Sequence, residues 1–109
     1  MRWIIAHLDR RITLDDMARH ARLGARQLTR HFRQMVGATP MHFVQNLRVT
    51  EAQRRLVMSD ASIKRIATSL GYRSPQVFRK AFERSFGLAP TSYRKRFGAA
   101  ARPSSRVAR

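Results

Sequence analysis

The chain has 109 residues, 43% of them apolar, with 23 Lys and Arg against six Asp and Glu and a formal net charge of +17. That length holds one ordinary domain or two very small ones, and the apolar share is enough for a core, which argues against wholesale disorder. With no Cys there are no disulfides and no thiolate-bound zinc; no apolar run approaches a membrane span, and the charge steers the chain toward polyanions.

The start, Met1 to Leu8, is too short for a signal sequence and is soon followed by Asp9-Arg10-Arg11. It reads as an amphipathic helix from Met1 to about Asp9, with Ile4, Ile5 and Leu8 on one face. Thr13 opens a second helix, and Asp16 three positions later makes a capping box with Asp in the usual place of Glu. Leu14, Met17, Ala18 and Ala21 supply its buried stripe. Arg22-Leu23-Gly24 is a turn. A third helix follows from about Ala25 to Val36, with Leu28, Phe32 and Met35 inward and Gly37 as a left-handed C-cap.

Pro40 suits the first turn of a fourth helix, where its missing N–H costs little. This helix reaches about Met58, with Phe43, Val44, Leu47, Ala52 and Leu56 on its buried side. About 18 residues at ~1.5 Å each span ~27 Å. Ser62 caps a fifth helix, with Ile63, Ile66, Ala67 and Leu70 inward, and Gly71-Tyr72-Arg73 makes a second turn. Ser74-Pro75 starts a sixth helix, Ser at the cap and Pro at the first helical position. Phe78, Phe82 and Phe86 recur every four residues along it, which marks a core stripe and not a base-stacking platform. Gly87 ends it, and Pro90 starts a short last helix to about Phe97. From Gly98 onward the chain reads as a frayed basic tail. Nothing asks for a strand.

One phrase occurs twice. Phe32-Arg33-Gln34-Met35-Val36-Gly37-Ala38-Thr39-Pro40 returns fifty positions later as Phe82-Glu83-Arg84-Ser85-Phe86-Gly87-Leu88-Ala89-Pro90. Each copy closes two short helices around a tight turn, so the repeat marks two helix-turn-helix units. In such a unit the second helix enters the DNA major groove and its early residues reach base edges. That task needs polar, hydrogen-bonding side chains on the outer face. Arg26, Gln27 and Arg30 meet it in the first copy, and Gln76, Arg79 and Lys80 in the second; with Thr29 and Arg33 on the first outer face and Ser74 and Pro75 at the start of the second helix, they form the candidate DNA-binding set. Arg pairs with guanine O6 and N7, and Gln with adenine N6 and N7. Solvated helix faces and phosphate positioning compete for each residue singly. Twenty of the 23 basic residues are Arg, which fits bidentate phosphate and guanine contacts; a bias toward Arg codons gives the same excess.

The second copy carries a signature: Ile66-Ala67, then Leu70-Gly71-Tyr72-Arg73-Ser74, Phe78, Lys80, Phe82, Gly87, Pro90 and Tyr93-Arg94. With Leu47-Arg48, Ala52 and Leu56 in the linking helix, it resembles the DNA-binding domain of AraC/XylS-family transcription regulators over residues 3 to 97. The resemblance implies an all-α, homeodomain-like fold of seven helices. It places a first helix-turn-helix unit at 1–38, a linker helix at 40–58, a second unit at 60–97 and a tail at 98–109. It also implies two recognition helices in successive major grooves of double-stranded DNA, RNA polymerase as a partner, and a place on the bacterial nucleoid in the cytoplasm. The local sequence is similar to a subgroup whose N-terminal part is amidotransferase-like; in the family such a part senses a ligand or dimerises the protein, and the chain is then either a fragment of a longer regulator or a stand-alone domain. The first turn departs from the family pattern of Gly, an apolar residue and Ser-Pro. Arg22 stands where positive φ is needed, which predicts strain or a different turn. The first reading helix is the more Arg-rich and is expected to supply most base recognition.

Catalysis has little support. His7, His20, His31 and His42 are scattered without metal-ligand spacing, no Gly-rich phosphate cradle is present, and neither cofactor nor metal is implied. Two other classes fit the charge. A nonspecific nucleic-acid binder loses affinity with salt but shows no sequence preference, and a basic protein-interaction module predicts that Arg30→Ala and Gln76→Ala leave DNA binding intact.

Overall fold

A computed structural model describes residues 2–98. The tail expected from residue 98 lies, beyond Gly98, outside the described residues. The described chain is all helix: α1 (Arg2–Ala6), α2 (Leu14–Ala21), α3 (Ala25–Val36), α4 (Pro40–Met58), α5 (Ile63–Ser69), α6 (Pro75–Phe86) and α7 (Pro90–Phe97). Six of the seven follow the sequence signals closely. The first is shorter than expected: beyond Ala6 the backbone closes i→i+3 bonds instead, from His7 N–H to Ile4 O at 3.1 Å and from Arg10 N–H to His7 O at 3.2 Å.

Side chains written into the sequence set the helix ends. Thr13 Oγ1 accepts from Asp16 N–H at 3.0 Å and Asp16 Oδ2 accepts from Thr13 N–H at 3.0 Å, the full reciprocal box. The hydrogen bond from the Thr13 backbone, followed by that of the Thr13 side chain, holds the Asp16 carboxyl below its ordinary pKa of 3.8. Ser62 and Ser74 cap α5 and α6 through the Arg65 and Val77 N–H groups at 3.0 and 3.2 Å. Gly37 and Gly87 take φ of 78° and 76° after α3 and α6, which only glycine does without cost.

The chain divides into two units, Met1–Arg48 and Val49–Arg109, with the boundary inside α4. In the first, Ile4, Leu8, Ile12, Met17, Ala18, Leu28 and Val44 are buried, and α2 packs on α3. Trp3 stacks on His7 and His20, ring centroids 4.5 and 4.8 Å apart, which ties α1 to α2. Arg48 donates through Nε and Nη2 to Leu8 O, both at 3.3 Å, and through Nη2 to Arg10 O at 3.2 Å. Those carbonyls lie where α1 has run out of helical partners.

In the second unit Val49, Ala52, Leu56, Ile66, Ala67, Leu70, Phe78 and Phe82 are buried, and α6 packs on both α5 and α7. Phe82 meets Tyr93 edge-on at 5.3 Å. Fifty positions earlier Phe32 meets Phe43 in the same way at 5.4 Å. The repeat is thus preserved as a packing contact and includes the Pro-initiated helices α4 and α7 that follow α3 and α6. Arg94 closes the end of α4, its Nε on Leu56 O and its Nη2 on Ser59 O, each at 3.2 Å.

Three expected core residues turn outward: Ile5 is 55% exposed, Met35 78%, and Ala21 is exposed as well. Along α3, Leu28 is buried, Phe32 half-buried and Met35 exposed, so the helix outruns the core it packs on. Ile12 and Val49 fill core positions that the periodic stripes did not reveal.

Candidate nucleic-acid interface

Both α3 and α6 are reached through a turn that reverses the chain after one left-handed residue. In the first turn that residue is Arg22, at φ 59° and ψ 40°, and it is the one non-glycine residue with positive φ among the described residues. In the second it is Gly71, at φ 83°. The backbone bonds correspond: Leu23 N–H reaches Ala18 O at 2.9 Å, and Tyr72 N–H reaches Ala67 O at 3.1 Å. The first turn is therefore not differently shaped at this corner; it holds the same conformation with a residue strained by it.

The turns then diverge. Leu23 leads directly to Gly24, the N-cap of α3, whereas Tyr72 is followed by Arg73 before Ser74, the N-cap of α6. The second turn is one residue longer. Core equivalences therefore run at 49 positions before the turn (Ala18 with Ala67) and at 50 after it (Leu28 with Phe78). Counted from the caps, Arg26 corresponds to Gln76, Gln27 to Val77, Thr29 to Arg79 and Arg30 to Lys80.

Arg26, Gln27, Arg30 and Arg33 are all exposed on α3, while Thr29 is half-buried and its hydroxyl donates to Ala25 O at 2.9 Å. Gln27 is also engaged: its Oε1 accepts from Gly24 N–H at 3.3 Å, half of a capping box whose other half Gly24 has no side chain to form. Arg26, Arg30 and Arg33 border an open groove of about 600 Å³ with Leu14, Ala25 and Thr29. On α6, Pro75, Gln76, Arg79 and Lys80 are exposed and Ser74 is half-buried at the cap. Val77, 40% exposed, adds an apolar group beside them that a pattern of polar residue types does not reveal.

The charges on these faces are uncommitted. Among the described residues the ion pairs are Arg10 with Asp9, Arg19 with Asp16, and Arg54 and Arg55 with Glu51. None involves Arg26, Arg30, Arg33, Arg79 or Lys80. The α3 sequence contains three Arg and no acid, and α6 sets Arg79, Lys80 and Arg84 against Glu83. Glu51, by contrast, is held below its ordinary pKa of 4.5, chiefly by the Arg54 hydrogen bond and then that of Arg55. Arg55 is committed further, its Nη1 on Ser69 Oγ at 2.8 Å. No group of three His, Cys, Asp or Glu side chains among the described residues is placed to hold a metal.

A profile described as a helix-turn-helix domain matches residues 17–96. The transcriptional activator AarP of Providencia stuartii is 33% identical over 92 residues, which cover 84% of this chain and 68% of AarP. The DNA-binding domain of AdpA, a global transcriptional factor solved with a target DNA, is similar at a TM-score of 0.82 and 33% identity, covering 97% of this chain and 91% of that one. A Chromobacterium violaceum transcriptional regulator of the AraC-type DNA-binding class gives a TM-score of 0.83 at 26% identity, over 90% and 88% of the two chains. The chain spans about a third of the length of several other curated relatives.

Proposed function

The chain belongs to the AraC-type helix-turn-helix family of transcription regulators, and from that premise we propose that it binds double-stranded DNA sequence-specifically, with α3 and α6 in successive major grooves. One observation carries the reading: two equivalent helices, each delivered by the same left-handed corner, present polar side chains and cations that no acid within the described chain neutralises. Such charges are free to displace counterions from phosphates, and the side chains among them to reach base edges. The AdpA domain was solved on its target DNA, and that likeness supports the same use of these faces here. Arg26, Gln27, Thr29, Arg30 and Arg33 form the first reading set; Ser74, Pro75, Gln76, Arg79 and Lys80 form the second. Ser74 and Pro75 act chiefly by fixing the start of α6.

The reading extends to a regulator working on the bacterial nucleoid, without catalysis, and with RNA polymerase as its partner. Activation is the direction favoured by AarP and RhaS, both named as activators. A ligand-sensing or dimerising part preceding this domain is in keeping with the fraction of the relatives' length that the chain spans.

Selection of bound sites from a random DNA pool tests the central proposal. A sequence enriched well above random DNA at moderate salt is the expected result. If every sequence binds alike, the chain is a nonspecific binder. Transcription by purified RNA polymerase from a template carrying the selected site, with and without the protein, tests the partner: a changed transcript yield is expected, and an unchanged one removes it.

A further inference from the structure

We propose that Gln27 reads its base as a hydrogen-bond donor and so selects guanine, in place of the adenine pairing that its residue type suggests. The inference rests on the proposal that α3 is a major-groove reading helix. Gln27 is the third residue of α3, and its Oε1 accepts from Gly24 N–H at 3.3 Å. The helix has particular use for that bond. Thr13, Ser62 and Ser74 give α2, α5 and α6 a hydroxyl cap, whereas Gly24 gives α3 none. The Gln27 carbonyl is therefore the side-chain acceptor that fixes the start of α3.

An amide held this way turns its oxygen to the backbone and its NH₂ outward. The outward group has two donors and no acceptor. In the major groove guanine offers two adjacent acceptors, N7 and O6, whereas adenine offers N7 alone with its N6 donor beside it, thymine offers O4 alone and cytosine a donor. The bidentate contact with adenine needs the amide oxygen as well as the nitrogen, which here means giving up the Gly24 bond. At the equivalent position α6 has Val77, with no polar group, so the preference is confined to the half-site under α3. Gln76 is exposed and its side chain makes no hydrogen bond among the described residues, so both ends of its amide remain available to adenine.

The test is site selection from a random DNA pool with the wild-type chain, Gln27→Glu and Gln27→Ala, with thermal melts alongside. Glu keeps an oxygen for Gly24 N–H but turns an acceptor outward. The wild type is expected to enrich guanine at one position, by about tenfold over an A·T pair. Gln27→Glu should keep the wild-type Tm and shift that position to cytosine or adenine, and Gln27→Ala should lose the preference there and nowhere else. An A·T pair in either orientation at the Gln27-dependent position overturns the inference and leaves the DNA-reading proposal standing. So does an even loss of affinity in Gln27→Ala with every preference intact, which identifies a capping role alone. A pool that enriches nothing with the wild type overturns both.

Discussion

Arg22 shows how much one residue carries. Its φ of 59° and ψ of 40° lie in the left-handed region, where an L side chain with a Cβ costs about 1–2 kcal/mol. Gly71 makes the corresponding corner without that cost. Arg22→Gly relieves the strain but gives back part of the gain through the greater freedom of glycine in the unfolded chain. The net expectation is a rise in stability of about 0.5–1 kcal/mol, read as a Tm higher by a few degrees; an unchanged or lower Tm removes the strain argument. Side chains of the reading faces should behave in the opposite way. Arg30→Ala and Gln76→Ala replace exposed groups outside the core, so stability should stay within about 0.5 kcal/mol. DNA affinity should fall by about 1–3 kcal/mol with preference relaxed at one base position each, as measured by binding to the selected site and its single-base variants. Intact DNA binding in both variants would favour the protein-interaction module.

At the scale of helices and turns, the sequence was most legible where a single residue type is forced. Thr13 with Asp16, Ser74-Pro75, Gly37 and Gly87 each marked an end that the structure places there, because few residues satisfy an orphan backbone group or a positive φ. Periodicity was less reliable for inward faces. Met35 sits at the right spacing on α3, but spacing does not tell how far the partner surface extends, and it ends near Phe32. The outward positions of Arg26, Arg30, Gln76, Arg79 and Lys80 were readable from the repeat. The commitments of Gln27 and Thr29 to their own helix do not follow from residue type, although Gly24 and Gln27 have capping-box spacing. The extra residue in the second turn was also visible once core residues before and after it were aligned separately.

Two predictions belong to these elements. Arg94 donates to Leu56 O and Ser59 O at the C-terminal end of α4, charge-assisted bonds at a helix end. Arg94→Ala should destabilise the chain by about 1.5–3 kcal/mol in denaturant titration. An effect on DNA binding at full folding would instead make Arg94 part of the interface. Acid should also weaken the fold through Asp16 and Glu51, whose carboxyls are both held below their ordinary values. A depressed folded pKa contributes stability that is fully present above the unfolded value, near 3.8 and 4.5 respectively, and lost as pH falls through the folded one. Tm should therefore drop as pH is lowered through and below this range, and the Asp16→Asn and Glu51→Gln variants should show a shallower drop. Parallel acid profiles for the variants and the wild type would remove both groups from the account.

For the whole molecule the governing quantity is the net charge of +17, with the reading-face cations free of acid partners. Each cation set against a phosphate releases condensed counterions, so log affinity falls linearly with log salt at a slope of about −0.9 per phosphate contact. For about six to ten contacts the loss between about 50 and 200 mM salt is about a thousandfold to a hundred-thousandfold. That steepness is common to any basic nucleic-acid binder, so it tests the charge and not the function. Discrimination comes from comparing slopes and preferences together. Arg33→Ala, if Arg33 meets a phosphate, should reduce the slope by about one for all sequences alike, while Gln76→Ala should leave the slope unchanged and alter preference at one base pair. The selected site should extend over about two helical turns, at about 10–10.5 base pairs each. It should also be asymmetric, because Arg26, Gln27, Thr29 and Arg30 meet one half-site where Gln76, Val77, Arg79 and Lys80 meet the other. A palindromic site, or one confined to a single turn, would mean that the duplicated scaffold does not read DNA with both of its copies.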